Sequence, residues 1–143
     1  MTTFYWYPKC STCQKAAKEL EALGQAVEKI DLKTTPPKAE LILSWLKTSG
    51  LDKKKFFNTS GISYRQLDLK EKVDDLTFED AAELLASDGM LIKRPILLDA
   101  SGHILQIGYR TPYETLLANH HKIKRAINHY DVVNRSFLLE ISL

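Results

Sequence analysis

The sequence has few cysteines and no excess of charge of either sign. Its 143 residues include only two cysteines, which excludes a disulfide-rich scaffold and a zinc site with four thiolate ligands. The 20 Lys and Arg residues nearly balance the 18 Asp and Glu residues, which argues against direct binding to nucleic acid. No apolar run approaches the roughly 20 residues of a membrane span, and the N-terminus does not resemble a secretion signal. We therefore expect a cytoplasmic protein with no membrane partner and no metal site.

The predicted elements follow the order β-α-β, then helices, then β-β-α. A β-branched and aromatic run at residues 2–7 predicts a buried strand, and residues 26–31 predict a second strand after a helix. Strand, helix and strand within about 30 residues form a βαβ unit with parallel strands. Apolar segments on both sides of the turn at residues 99–102 predict a hairpin, which a last helix follows. This order predicts an α/β protein with a thioredoxin-like fold (βαβ plus ββα) and a helical insertion at about residues 36–90.

A C-terminal extension, residues 118–143, follows the thioredoxin-like domain predicted at residues 1–117. The extension holds three of the four histidines, His120, His121 and His129. Adjacent histidines diverge by about 100° on a helix, so the first two do not form a metal site by themselves. The mixed apolar and polar pattern leaves three interpretations open for the extension: an extra helix, an extra strand, or a poorly ordered tail.

The two cysteines, Cys10 and Cys13, lie between the first predicted strand and the first predicted helix. Cys10 falls at the helix N-terminus, where unpaired N–H groups and the helix dipole stabilise an anion. A thiol in such a position can have its pKa lowered from about 8.5 to roughly 3.5–7.5. Cys13 follows one helical turn later, within disulfide range, and is the natural resolving thiol. The pair indicates redox chemistry, with half of a zinc site or two inert buried cysteines as the alternatives.

Arg94 directly precedes Pro95 and the third predicted strand. In thioredoxin-type folds the loop before this strand faces the cysteine loop, and its proline is usually cis, so we predict a cis bond at Pro95. Arg94 would then direct a permanent charge and a planar fork of donors toward Cys10, which suits an oxyanion such as arsenate. The alternative is a surface arginine in a turn.

Several motifs, taken in order, resemble the arsenate reductase family of the glutaredoxin-coupled type, which also contains the Spx redox regulators. They are YPKCSTCQKA at residues 7–16, TPP at 35–37, NTSG at 58–61 with YRQL at 64–67, IKRPI at 92–96 and IGY at 107–109. The motifs occur in the family order, and the resemblance covers residues 2–117, about the whole family domain. The resemblance implies an arsenate-reductase type of thioredoxin-like fold, and a cysteine nucleophile that attacks arsenate with the help of three arginines. It also implies that glutathione and glutaredoxin then reduce the arsenate–thiol adduct.

The resemblance makes Cys10 the nucleophile and Arg94 the arginine before the proline, with Arg110 near the last family arginine. We assign catalysis to Cys10, Cys13 and Arg94, and substrate binding to Ser11, Thr12, Asn58 and Arg110. Asn58 stands where the family has its remaining arginine. Because asparagine donates hydrogen bonds but carries no charge, we expect weaker binding of a multiply charged anion.

Cys13 is the second departure from the arsenate reductase pattern. Arsenate reductases of this class need one cysteine in the loop, whereas Spx regulators use a Cys-x-x-Cys pair as a disulfide switch and dock on the C-terminal domain of the RNA polymerase α subunit. We predict a thiol-dependent oxidoreductase that binds no cofactor and acts on arsenate or a related thiol or disulfide substrate. After the reaction, the oxidised Cys10 would be reduced by Cys13 or by glutathione and glutaredoxin, with thioredoxin as another external reductant. The alternatives are an Spx-type regulator and a family fold that has lost both roles.

Overall fold

The four strands form one mixed sheet in the order β2-β1-β3-β4. The structure is a computed structural model that describes the backbone of residues 1–142 and the side chains of residues 1–135. The strands are β1 (Thr2–Trp6), β2 (Val27–Asp31), β3 (Ile96–Leu98) and β4 (Ile104–Ile107). β1 runs parallel to β2 and antiparallel to β3, and β4 is antiparallel to β3. This topology confirms the predicted α/β class and the thioredoxin-like arrangement of a βαβ unit and a hairpin.

Helices connect the strands and form the predicted insertion. They are α1 (Ser11–Ala22), α2 (Ala39–Thr48), α3 (Ile62–Gln66), α4 (Phe78–Ser87) and α5 (Tyr113–Ser142). Short 3-10 turns lie at Lys53–Phe56, Leu69–Glu71, Val73–Asp75 and Gly89–Leu91. The helix α1 joins the two parallel strands, whereas α2, α3 and α4 lie between β2 and β3 along the chain. The insertion therefore interrupts the thioredoxin-like pattern between its two halves, as predicted.

The insertion is fixed to the sheet by a buried apolar cluster and by a short backbone pairing. Side chains of α2 and α4, including Trp45 and Leu85, are buried in one cluster with Tyr5 and Ile96 of the sheet. Burying each large apolar side chain stabilises the fold by roughly 1.5–3 kcal/mol. Residues 56–58 pair with residues 91–93 at the end of the insertion. The Asn58 N–H donates to the Leu91 carbonyl at 2.7 Å, and the Lys93 N–H donates to the Phe56 carbonyl at 2.8 Å. These bonds hold residues 56–58 beside the loop that carries Arg94.

Gly89 lies where the chain leaves α4, and the space beside it has no room for a side chain. A Cβ atom built there would lie 1.7 Å from the Leu32 carbonyl oxygen. Because this neighbour is backbone, we expect Gly89→Ala to lower the free energy of unfolding by about 2–4 kcal/mol. Gly24→Ala is the control, since Gly24 has a φ of +65° but open surroundings and should cost only about 1 kcal/mol. Denaturant unfolding of both variants tests the close approach, and equal losses would contradict it.

The chain divides into two compact units, the first of which is Met1–Arg110. The second begins at Thr111 and consists mainly of α5, which is 30 residues long. This helix crosses the predicted boundary at residue 117 without a break. The extension predicted at residues 118–143 therefore forms a helix as far as Ser142, in line with the first of the three interpretations. None of the described helices combines the length and the apolar character needed to cross a membrane.

Candidate active site

Cys10 is the N-cap residue of α1 and follows the turn that ends β1. The turn is held by the Cys10 N–H, which donates to the Tyr7 carbonyl at 3.0 Å. The Cys10 carbonyl in turn accepts the first helical hydrogen bond from Gln14 at 3.0 Å. Cys10 is partly exposed, whereas Cys13 lies one turn into the helix and is 0% exposed. The structure thus places Cys10 at the surface end of α1 and Cys13 behind it.

The two thiols have opposite pKa shifts. Burial disfavours the Cys10 thiolate, but hydrogen bonds from the N–H and thiol of Cys13 and from the Thr12 N–H outweigh it, and together with the positive charge of Arg94 they lower the pKa of Cys10. Burial raises the pKa of the Cys13 thiol to about 12, and its hydrogen bond to Cys10 acts in the same direction. Cys10 is therefore suited to be the nucleophile, with Cys13 as a protonated donor beside it.

The pH dependence of alkylation tests this difference. Because iodoacetamide reacts with the thiolate, the rate should fall as the pH drops through the pKa of Cys10, with a midpoint below the 8.5 or so of a free cysteine. Cys13→Ala removes one donor to the sulfur and should raise that midpoint by about one pH unit. Cys10→Ser is the control and should leave little reaction, since Cys13 is buried. An unchanged midpoint in Cys13→Ala would contradict the role of the Cys13 thiol as a donor.

Arg94 is held near the cysteine loop by two contacts. Its Nη1 donates to the Met90 carbonyl at 3.0 Å, and its guanidinium carbon lies 5.4 Å from the centre of the Tyr7 ring. The peptide bond between Arg94 and Pro95 is cis, as predicted. With these contacts, Arg94 contributes its charge to the lowering of the Cys10 pKa.

The loop after β4 is tied to two other parts of the domain. The Gly108 N–H donates to the Pro95 carbonyl at 2.8 Å, and Gly108 adopts a φ of +78° that favours glycine. The Tyr109 hydroxyl donates to the Glu19 carboxylate on α1 at 2.6 Å. Burial and this carboxylate raise the pKa of Tyr109 to about 12, so the hydroxyl remains a donor. The two bonds position the loop that ends at Arg110.

The cysteine loop, the Arg94 loop, the loop after β4 and part of the insertion line an open cavity of about 660 Å³. Its lining includes Cys10, Thr12, Asn58, Lys93, Arg94 and Arg110. Five predicted site residues therefore meet in one place. Ser11 is exposed outside this lining, and Cys13 lies buried behind Cys10. Of the residues predicted to bind substrate, Ser11 is therefore not part of the lining, and the predicted resolving thiol of Cys13 does not line the cavity either.

The cavity is positively charged. Lys93, Arg94 and Arg110 line it, and no acidic side chain belongs to its lining as far as the described residues show. Sequence reasoning did not identify Lys93, although it lies in the IKRPI motif, because its place in the lining depends on the backbone pairing with Phe56 across the insertion. Among the residues that the structure describes, no group of three His, Cys, Asp or Glu side chains is arranged to hold a metal ion. The arrangement fits an anion that approaches the Cys10 sulfur.

The sequence and the fold are similar to those of several known proteins. The ArsC family pattern matches residues 5–117. The uncharacterized protein YusI of Bacillus subtilis is 51% identical over 108 residues, which are 76% of this chain and 90% of YusI. The regulatory protein MgsR of the same organism is 36% identical over 110 residues, which are 75% of this chain and 82% of MgsR. The crystal structure of a possible arsenate reductase from Streptococcus mutans has 60% identity and a TM-score of 0.79, covering 81% of this chain and 97% of that one. The chain belongs to the ArsC family.

Proposed function

We propose that this protein is a thiol-dependent oxidoreductase that reduces arsenate or a closely related oxyanion. The observation that carries the proposal is a thiol with a lowered pKa, which lies at a helix N-terminus and lines a cavity together with three cations. Both features favour an anionic electrophile, because the helix N-terminus stabilises the thiolate and the cations stabilise the bound substrate. The similarity to a possible arsenate reductase from Streptococcus mutans supports arsenate as the substrate.

The reaction begins with attack of the Cys10 thiolate on the arsenic atom. A sulfur–arsenic bond forms, and one arsenate oxygen leaves as water after protonation. Arg94 and Lys93 neutralise the negative charge of the remaining oxygens, while Arg110 lies on the same lining. Asn58 supplies hydrogen-bond donors without charge. The product of this first step is a covalent Cys10–arsenate adduct.

Cys13 resolves the adduct in the proposed second step. Its sulfur attacks the Cys10 sulfur, so that a disulfide forms, the sulfur–arsenic bond breaks, and its electron pair leaves with arsenic as arsenite. In the free protein the Cys10 thiolate helps to raise the Cys13 pKa, both through its charge and as a hydrogen-bond acceptor. Once Cys10 carries arsenic, both contributions disappear, so Cys13 loses its proton more readily than before. Two thiols thus supply the two electrons that convert arsenate to arsenite.

An external thiol returns the disulfide to the reduced state. Because Cys10 is partly exposed and Cys13 is buried, that thiol attacks the Cys10 sulfur. Glutathione with glutaredoxin, or thioredoxin, supplies this thiol without any cofactor bound to the chain. Such a cycle requires a reducing compartment, so we propose a cytoplasmic location.

Steady-state arsenite formation tests the proposal. The wild type is supplied with arsenate and either glutathione and glutaredoxin or thioredoxin, each recycled by its own reductase. We expect turnover above a protein-free blank with at least one of these reductants. Cys13→Ser separates the two modes of resolution, because turnover kept with glutathione would assign resolution to the external thiol. No turnover with either reductant would overturn the proposed reaction.

A second candidate function is a redox-sensing regulator of transcription. It is favoured by the hydrogen bond between Cys10 and Cys13, which prepares a disulfide switch, and by the similarity to the regulatory protein MgsR. In this role the domain binds the C-terminal domain of the RNA polymerase α subunit, and the disulfide state changes the affinity. Binding of the reduced and oxidised chain to that domain tests it. Equal absence of binding in both states would eliminate the regulator.

A further inference from the structure

The C-terminal helix α5 carries an apolar stripe with the spacing of a coiled coil. In a coiled coil, residues at two positions of a seven-residue repeat, a and d, recur in alternating steps of three and four. From Leu116 onward the sequence follows these steps at six described positions, which we call the α5 seam. The α5 seam consists of Leu116, His120, Ile123, Ile127, Tyr130 and Asn134. Phe137 and Ile141 continue the same spacing in the sequence.

The middle of the α5 seam is exposed. Ile123, Ile127 and Tyr130 are 58%, 54% and 69% exposed. A row of large apolar side chains along a helix of 30 residues, about 45 Å in length, is unusual on a monomeric protein. The seam recurs every 3.5 residues on average, which is the period that keeps one stripe facing a second, similar helix.

We propose that α5 pairs with α5 of a second copy of this chain in a parallel, in-register, two-stranded coiled coil. The occupant is identified by the polar residue within the seam. Asn134 occupies an a position, where in a parallel pair it meets the Asn134 of the other copy and the two amides can hydrogen-bond. An unrelated apolar surface or a lipid tail would leave that amide without a partner.

Two further features of α5 support pairing of two strands. Ile127 is a β-branched residue at an a position, as in two-stranded coiled coils, whereas Ile123 is β-branched at a d position, so the choice of two strands rests mainly on Asn134. The surface away from the seam carries charge, with Lys122, Arg125 and Arg135 all exposed. Charged outer positions keep a paired helix in water and discourage higher assemblies.

Substitution within the seam tests the pairing. In sedimentation equilibrium of the full chain under reducing conditions, the wild type should be a dimer in the micromolar range. Ile127→Lys places two charges face to face in the seam and should weaken dimerisation by at least about 100-fold. Val132→Lys is the matched control, because Val132 is 62% exposed but lies at the f position, opposite the seam. The control should dimerise like the wild type.

A crosslink tests the orientation. In a chain that carries Cys10→Ser and Cys13→Ser, the added substitution Asn134→Cys should give a disulfide-linked dimer on mild oxidation, whereas Val132→Cys should not. A wild type that stays monomeric overturns the proposal, and sedimentation of that monomer with anionic vesicles would assign the stripe to lipid. A dimer unaffected by Ile127→Lys, or equal crosslinking at both positions, also overturns it.

Discussion

Cys10→Ser is expected to lower arsenate turnover by at least about 1000-fold, to the level of a protein-free blank. The hydroxyl of serine has a much higher pKa than a thiol, and the donors around Cys10 are too few to ionise it. Serine also cannot form the disulfide that carries the two electrons. Arsenite formation measured with saturating reductant gives the result directly.

Cys13→Ser is the control for the effect of Cys10→Ser. It makes the same change from sulfur to oxygen one helical turn away, in α1, but keeps the nucleophile and the cavity. We expect it to retain Cys10 alkylation, since the Thr12 and Cys13 N–H groups and Arg94 still act on Cys10. If Cys10→Ser kept a substantial part of the turnover of the wild type, Cys10 would not be the nucleophile.

Arg94→Ala is expected to lower kcat/KM for arsenate by about 100- to 1000-fold. The substitution removes a cation from the cavity lining and one of the groups that lower the pKa of Cys10. Arg94→Lys should recover part of this loss, because lysine restores the charge but not the planar fork of donors. The pH profile should also shift upward in Arg94→Ala, as the thiolate forms at higher pH.

Arg65→Ala is the matched control for Arg94→Ala. Arg65 is an exposed arginine on α3 that does not belong to the lining of the cavity. Its removal should change kcat/KM by less than about twofold, because exposed charges at a distance are screened. Equal losses in the two variants would show that the chain responds to total charge rather than to the charge at the cavity.

Much of the fold is predictable because its signals are local. The aromatic and β-branched run before Pro8 makes β1, and the turn signal at residues 99–102 makes the hairpin. The position of Cys10 at a helix N-terminus follows from the same local pattern. The sequence does not distinguish a helix, a strand and a poorly ordered tail for the extension, because its apolar residues do not separate a helix from a strand over short windows.

Other features depend on contacts between distant parts of the chain. Lys93 lines the cavity because Phe56 pairs with its backbone across the insertion. A glycine is required at position 89 because the Leu32 carbonyl lies against it, and no sequence motif predicts this contact. Tyr109 and Glu19 are 90 residues apart and meet only in the folded domain. Such pairings follow from tertiary structure, so composition and spacing do not reveal them.

A single-turnover experiment tests the central claim most directly. The reduced chain is mixed with excess arsenate in the absence of any other thiol, and arsenite and the intact mass are measured over time. If Cys10 attacks arsenate and Cys13 resolves the adduct, each chain yields one arsenite together with a disulfide between Cys10 and Cys13. A fully reduced chain that yields no arsenite, or a Cys10→Ser chain that yields as much as the wild type, would contradict it.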